Sequence, residues 1–457
     1  MMIRTTVPAL IALAAAGTAA AGDPPARALI DTPLERVWDV PLGQPVHAGW
    51  WNAQTPESVQ FQVKESNAIY SIEATSGLTR WVSQPLPQPI KANHAPTSSR
   101  YVYRKEGGID LFDDRQWIVS EDRLFSFDGA SGHLVWSWQL PFSPSTGFVG
   151  QGRGESLRVA AGDWEGRTRV LTYHEEKSLP YQAWQVNHEV SITALPVISD
   201  GLIYVTDHAG VVTAYKDGRE KVFSRDIGGP IHGSVLTRDR VLYVGNDDNI
   251  LFALNRLSGE TLGQIPLDGM IRRAPFAYHG EPERVYVWIH HEDPARRGLQ
   301  AVRAQPDRVP FTERHGRTPT MADDRTPAPL DVARLGREWF VAGVESVVGS
   351  TAEHLFVLRE GSKLVHALNR RKGTYDWTWN PAEVIPSASG NPEQVMLVPY
   401  QDPTDGVRSI FVVGGDGHLV CVRLQGFKLT EQRKSAEDRV NDLLRERKAQ
   451  DAATTKP

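Results

Sequence analysis

From Val241 to Gly259 the chain alternates between short apolar runs and polar turns: Val-Leu-Tyr-Val, Gly-Asn-Asp-Asn, Ile-Leu-Phe-Ala-Leu, then Asn-Arg-Leu-Ser-Gly. Apolar runs this short, rich in β-branched and aromatic residues and bounded by Gly and Asn, predict strands joined by tight turns rather than a helix. The Gly-Asn-Asp-Asn segment supplies the backbone conformations of a hairpin. Asn255 can bond its own backbone, and Gly259 can take a positive φ without steric cost. A further strand is expected to follow.

The pattern recurs along the chain. Taking Leu254 as the last inward residue of its strand, equivalent anchors fall at Ile72, Phe127, Tyr173, Tyr215, Val302, Leu368 and Val422. Five residues after four anchors stands a glycine (Gly77, Gly132, Gly259, Gly373), where 39 glycines in 457 residues would place fewer than one by chance. Nine residues after three of them stands a tryptophan: Trp81, Trp136 and Trp377. Units three, four and six follow the spacing less closely, with Trp184, Phe223 and Phe311 as their candidate aromatics.

Eight units of about four short strands each predict an all-β fold, an eight-bladed β-propeller of four-stranded antiparallel blades. One unit alone could not bury both faces of its sheet. The large aromatic of each unit is expected to fill the gap between neighbouring blades, where the glycines permit close approach. The last unit has strands near Gln394–Val398, Ile410–Val413 and Leu419–Leu424 but no tryptophan strand. Glu35-Arg36-Val37-Trp38-Asp39-Val40-Pro41-Leu42 resembles His133-Leu134-Val135-Trp136-Ser137-Trp138-Gln139-Leu140. This N-terminal strand is expected to close the last blade and leave no open edge.

The succession Leu-Tyr-Val-Gly, Asp or Asn, Leu-x-Ala-Leu-Asn, then Gly followed by Trp resembles the repeat of the pyrroloquinoline-quinone-type propellers. The resemblance runs from about Glu35 to Leu424 and is clearest in units two, five and seven. That family includes quinoprotein alcohol dehydrogenases and the BamB-type propeller subunit of the outer-membrane β-barrel assembly machinery, and it implies eight blades. The dehydrogenases typically carry two adjacent cysteines forming a disulfide against the quinone, with carboxylates holding calcium beside it. Cys421 is the one cysteine of this chain, so that pair cannot form. The resemblance therefore points to a propeller acting without catalysis, as a protein interaction scaffold of the cell envelope. The alternative is a propeller that binds a small ligand, carbohydrate or peptide in its central funnel. A quinone-dependent dehydrogenase ranks below both.

The two ends differ from the middle. Residues 1–21 combine Arg4, an almost wholly apolar run from Val7 to Ala16 and Ala19-Ala20-Ala21, the layout of a secretory signal peptide too short to span a bilayer. Export to the periplasm or cell envelope is expected, with no lipoprotein cysteine and no stable membrane span after cleavage. The formal net charge is -5, and losing Arg4 with that segment takes one positive charge away to give -6. A mildly acidic chain argues against nucleic acid as a partner. The expected organisation is signal peptide 1–21, linker 22–34, propeller 35–427 and a charged helical or disordered tail 428–457. Outside its complex the protein is expected to be a monomer.

Candidate chemistry is sparse, and no catalytic, cofactor-binding or metal-binding residue is assigned. His290-His291-Glu292-Asp293 is the one dense cluster of possible metal ligands. Alternation along a strand would bring only two of the four together on one face, so a polar turn is expected there. Asp247-Asp248 and Asp416 read as turn residues capping backbone amides, and Cys421 as a buried small hydrophobe. Between Arg296 and Arg337 stand nine arginines, no lysine and five acids. That segment is expected to form a long rim insertion near 303–337, with Arg314, Arg317 and Arg325 candidates for an anionic partner. Ala92–Trp117 is expected to be a second rim loop.

Overall fold

The computed structural model describes residues 26–27, 34–51, 58–90, 97–106, 109–120, 122–151, 158–172, 181–216, 219–278, 283–306, 333–351, 353–385, 396–401 and 408–424. These form eight sheets arranged as the blades of a β-propeller. Blade five shows how a blade is built. Leu236–Arg238, Val241–Gly245, Ile250–Asn255 and Thr261–Pro266 pair antiparallel in chain order, from the inner strand to the outer one. Its second and third strands are buried on both faces, which is why they read as continuous rather than alternating apolar runs.

Eight buried clusters hold the ring together, each drawing side chains from two adjacent blades. One joins Val241, Leu251 and Ile271 of blade five to Val285 and Val302 of blade six. Another joins Phe61 and Ile72 of blade one to Phe411 and Cys421 of blade eight, and the cluster around Trp379 and Ile410 joins blade seven to blade eight. Closure follows the sequence expectation. The N-terminal strand Leu34–Pro41 pairs antiparallel with His418–Leu424, and Trp38 stands opposite Cys421.

In blades eight, one, four and six the outer-strand aromatic docks on a glycine turn of the next blade. The Trp38 indole Nε1 donates to the Ala74 carbonyl at 3.1 Å, and a Cβ at Gly77 would come within 2.7 Å of its ring. Trp81 binds the Gly129 carbonyl beside Gly132 in the same way, and Trp339 the Arg370 carbonyl beside Gly373. Gly77 has φ +76°, so the glycine answers both the turn and the close approach. Phe223 meets Gly259 between blades four and five.

Several expectations change. Phe311 lies outside the described residues, and the aromatic position of blade six belongs to Trp339, opposite Ala301. The third strand of that blade runs Gly298–Pro306 and its outer strand Ala333–Ala342. The ends of the 303–337 insertion are therefore paired strand, while Arg314, Arg317 and Arg325 lie outside the described residues. Ala92–Trp117 is not a loop in its described part: Thr97–Glu106 pairs with Ile109–Ser120 in a long hairpin. Within the expected linker, Ala26–Arg27 adds a short parallel strand to Thr378 and Trp379, giving blade seven five strands. Blade six has three strands, its inner one reduced to a bridge between Phe276 and Tyr286 beside the donorless Pro275. Residues 1–21, expected as a signal peptide, and 428–457, expected as a charged tail, lie outside the described residues.

Candidate functional site

In each blade the turn between second and third strands and the crossover from the outer strand to the next blade emerge on one face of the ring. This loop face is built by a repeated device. Asp163 Oδ1 accepts the amides of Glu165 (3.0 Å) and Arg167 (2.8 Å), and Asp207 does the same for Ala209 and Val211. Asp416 caps His418, as the sequence suggests. In blade five the capping group is Asn246, which accepts from Ile250. This corrects the reading of Asp247, because the next position along the turn projects outward, as Trp164 and His208 do in blades three and four.

The crossovers follow a second device. Ile192, Ile231 and Ile271 are fully buried, and Ile192 and Ile271 fill the space a Cβ would take at Gly162 and Gly245. Each isoleucine pins its crossover to the turn below, and the following residue is Thr193, His232 or Arg272. Asp247 is thereby met from two crossovers. His232 Nε2 lies 3.2 Å from its Oδ2, and Arg272 reaches both oxygens, Nε to Oδ1 at 3.2 Å and Nη2 to Oδ2 at 3.0 Å. Partial burial raises the Asp247 carboxyl, but the Arg272 and His232 contacts outweigh it and hold the group below its ordinary 3.8. The His208 ring stands edge-on to His232 with centroids 4.5 Å apart.

Beside this network a cleft of about 390 Å³ opens between blades six and seven, lined by Arg272, Arg273, Trp288, His290, Arg297 and Glu345 among others. The Arg273 guanidinium lies over the Trp288 ring, 5.0 Å from its centroid, and donates to the Glu345 carbonyl at 2.8 Å. Arg297 donates to the His291 carbonyl and to Glu360 Oε1 at 3.2 and 3.3 Å. Burial, then the positive charges of Arg272 and Arg297, push the His290 imidazole below its ordinary 6.5.

The other residues singled out from the sequence take structural positions. His291 Nδ1 accepts from the Asp293 amide, and Asp293 caps Ala295. His290 bridges to Met270 through its backbone. Among the described residues no three His, Cys, Asp or Glu side chains converge as metal ligands. Cys421 is fully buried, and its thiol is pushed up to about 12 by that burial. The arginine-rich run is divided by its own strand: Arg296 and Arg297 belong to the loop face, whereas Pro306 and Ala333 lie at the other end of the blade.

Sequence reasoning missed Trp164, Arg272 and Arg273. Trp164 is 63% exposed on the blade-three turn, and Leu195 is 38% exposed in the crossover that packs over that turn. The available signal was alignment of the crossovers on their buried isoleucines, which sets Arg272 beside His232 and Thr193 as an outward position. Such a face can recognise a partner through one large aromatic, a paired carboxylate and fixed guanidinium groups.

A profile for the outer membrane protein assembly factor BamB matches residues 181–309, from the outer strand of blade three to just past the third strand of blade six. BamB of Alkalilimnicola ehrlichii is 29% identical over 187 residues, a match that covers 38% of this chain and 44% of that protein. The chain therefore matches less than half the length of that relative. The crystal structure of BamB from Moraxella catarrhalis superposes with a TM-score of 0.52 over 87% of this chain and 99% of that one, at 12% identity, a likeness of fold. No helix among the described residues is long and apolar enough to cross a membrane. The chain is a β-propeller whose repeats are similar to those of the outer membrane protein assembly factor BamB.

Proposed function

We propose that the protein is a non-catalytic, exported scaffold of the cell envelope that holds a protein partner on its loop face. The observation that carries this reading is Trp164, 63% exposed on a turn whose backbone is fixed by Asp163. An aromatic of this size on a rigid turn loses little entropy on contact and is the residue type that anchors interfaces. Leu195 extends the apolar surface on the same face, and the charged network of blades five to seven supplies a polar rim. The likeness to an outer membrane protein assembly factor supports an envelope setting. In this reading residues 1–21 direct export, and the protein is a monomer outside its complex.

Affinity purification of the tagged protein from native envelope fractions, read by mass spectrometry, is expected to recover envelope proteins. Trp164→Ser should lower that recovery at least about tenfold, the loss of one interface anchor, without changing the fold of a side chain already in solvent. Unchanged recovery with Trp164→Ser would remove this face as the docking surface. Capture of small molecules alone would move the function to ligand binding in the funnel.

A further inference from the structure

The cleft between blades six and seven holds an arginine that is positioned but not neutralised. Arg272 is committed to Asp247, and Arg297 reaches Glu360. Among the described residues no carboxylate pairs with Arg273. Its guanidinium is nevertheless held flat, stacked on Trp288 and tied by one N–H to the Glu345 carbonyl. An exposed arginine ordinarily moves over many rotamers, so this restraint leaves a fork set in advance for a planar, two-oxygen acceptor. Trp288, Ile289 and Val344 give the cleft an apolar wall, and its volume of about 390 Å³ lies within the range of sites that enclose small groups.

We propose that this cleft receives the carboxylate of a glutamate or aspartate side chain carried on a peptide segment of a protein partner, with Arg273 as its fork and Trp288 supporting the methylene stem. Charge decides between the possible anions. Glu345 and Glu360 stand on the blade-seven wall, so a doubly charged phosphate would meet two carboxylates, whereas a carboxylate brings one charge and a chain that can run out along the apolar wall. The proposal adds a contact to the scaffold reading but uses different residues from Trp164, and it is tested on the isolated protein, so the two can fail separately.

The test is a calorimetric titration of the purified chain with the peptides acetyl-Leu-Glu-Leu-amide and acetyl-Leu-Gln-Leu-amide, with inorganic phosphate as competitor. The Glu peptide is expected to bind at least about tenfold tighter than the Gln peptide, as a charge-assisted pair should. Arg273→Gln should erase that preference, and Arg273→Lys should restore only part of it because an ammonium group lacks the fork. The circular dichroism spectrum checks that both variants are folded, and Trp164→Ser should leave the preference intact. Equal binding of the two peptides, a preference that survives Arg273→Gln, or phosphate displacing the Glu peptide at equal concentration would each overturn the proposal.

Discussion

The seam between blades eight and one and the seam between blades five and six are made in different ways. At the first, Trp38 lies on Gly77, donates to Ala74 and packs against Phe411 at 5.5 Å between centroids. At the second the ring of that device is missing. The position opposite Ala253 is Gly263 instead of an aromatic, so blade five offers no ring to blade six. Polar contacts stand in its place. Arg337 donates to the Pro266 carbonyl and pairs with Asp268 at 2.8 Å, and Arg238 of blade five donates to the Arg284 carbonyl of blade six at 3.0 Å; within blade six, Glu338 is held between Arg284 and Arg303 at 2.5 and 3.0 Å. The seam beside the closing strand is thus the regular one, and the seam between blades five and six is irregular. Both pairs of blades are tied by the chain, since Leu34–Pro41 runs on into Val46–Trp51, and the two chain ends are joined inside blade eight by the pairing of Leu34–Pro41 with His418–Leu424. The loop face above the irregular seam is also where Asp247 meets Arg272.

The largest effect should come from Trp38→Ala. Removing a half-buried ring that also holds a hydrogen bond should cost about 3 kcal/mol, the low end for truncating a core aromatic, read as a lower urea midpoint. Cys421 makes the outcome local. It is the one thiol of the chain, lies under the closing strand and has its thiol pushed up to about 12 by burial. Labelling by a thiol reagent should be slow in the parent protein and at least about tenfold faster once the closing strand detaches more readily. Equal labelling rates would show that Trp38 does not hold the closure.

Glu338→Gln tests the ion-pair network inside blade six, beside the other seam. Burial raises this carboxyl, but the hydrogen bonds from Arg284 and Arg303 prevail and set it below its ordinary 4.5. A depressed folded-state pKa means stabilisation that is present above the unfolded-state value and lost as pH falls through the folded one. The variant should be less stable by about 1–3 kcal/mol near neutral pH. The difference should close as pH drops below the ordinary 4.5. Cys421 labelling should be unchanged by this substitution, and a faster rate would mean that the two seams are coupled.

Much of the ring was legible in the sequence because the docking pair sits at fixed spacing within a unit: Gly77 and Trp81, Gly132 and Trp136, and Gly373 and Trp377 each serve two different neighbours at once. Where an insertion separates the parts, spacing fails. Trp339 plays the same role as Trp81 but follows Val302 by 37 residues, and only strand register identifies it. The candidate site was far less visible. Asp247 looked like one of two turn acids until Asn246 was seen to cap the turn, which shifts the outward position by one residue. Trp164 was hidden among tryptophans that pack between blades. Arg272 and Arg273 are an unremarkable basic pair until Ile271 fixes which way the crossover faces and Trp288 holds the second guanidinium flat.

The smallest effect should come from Arg337→Ala, and it sets the scale for the polar seam. Its guanidinium is 40% exposed and the Asp268 partner 64%, so water and salt screen the attraction. Such a pair contributes less than about 1 kcal/mol. The urea midpoint should therefore move little, and that small change should vanish in about 1 M salt, where the screening length falls to roughly 3 Å. Hydrogen exchange should still detect the loss locally, as faster exchange along Thr261–Pro266, since that outer strand has no ring to hold it against blade six. A global loss as large as that of Trp38→Ala would mean that the polar contacts stand in fully for an aromatic lock. No change in exchange along the strand would mean that the buried cluster of Leu251, Ile271 and Val285 holds the seam without them.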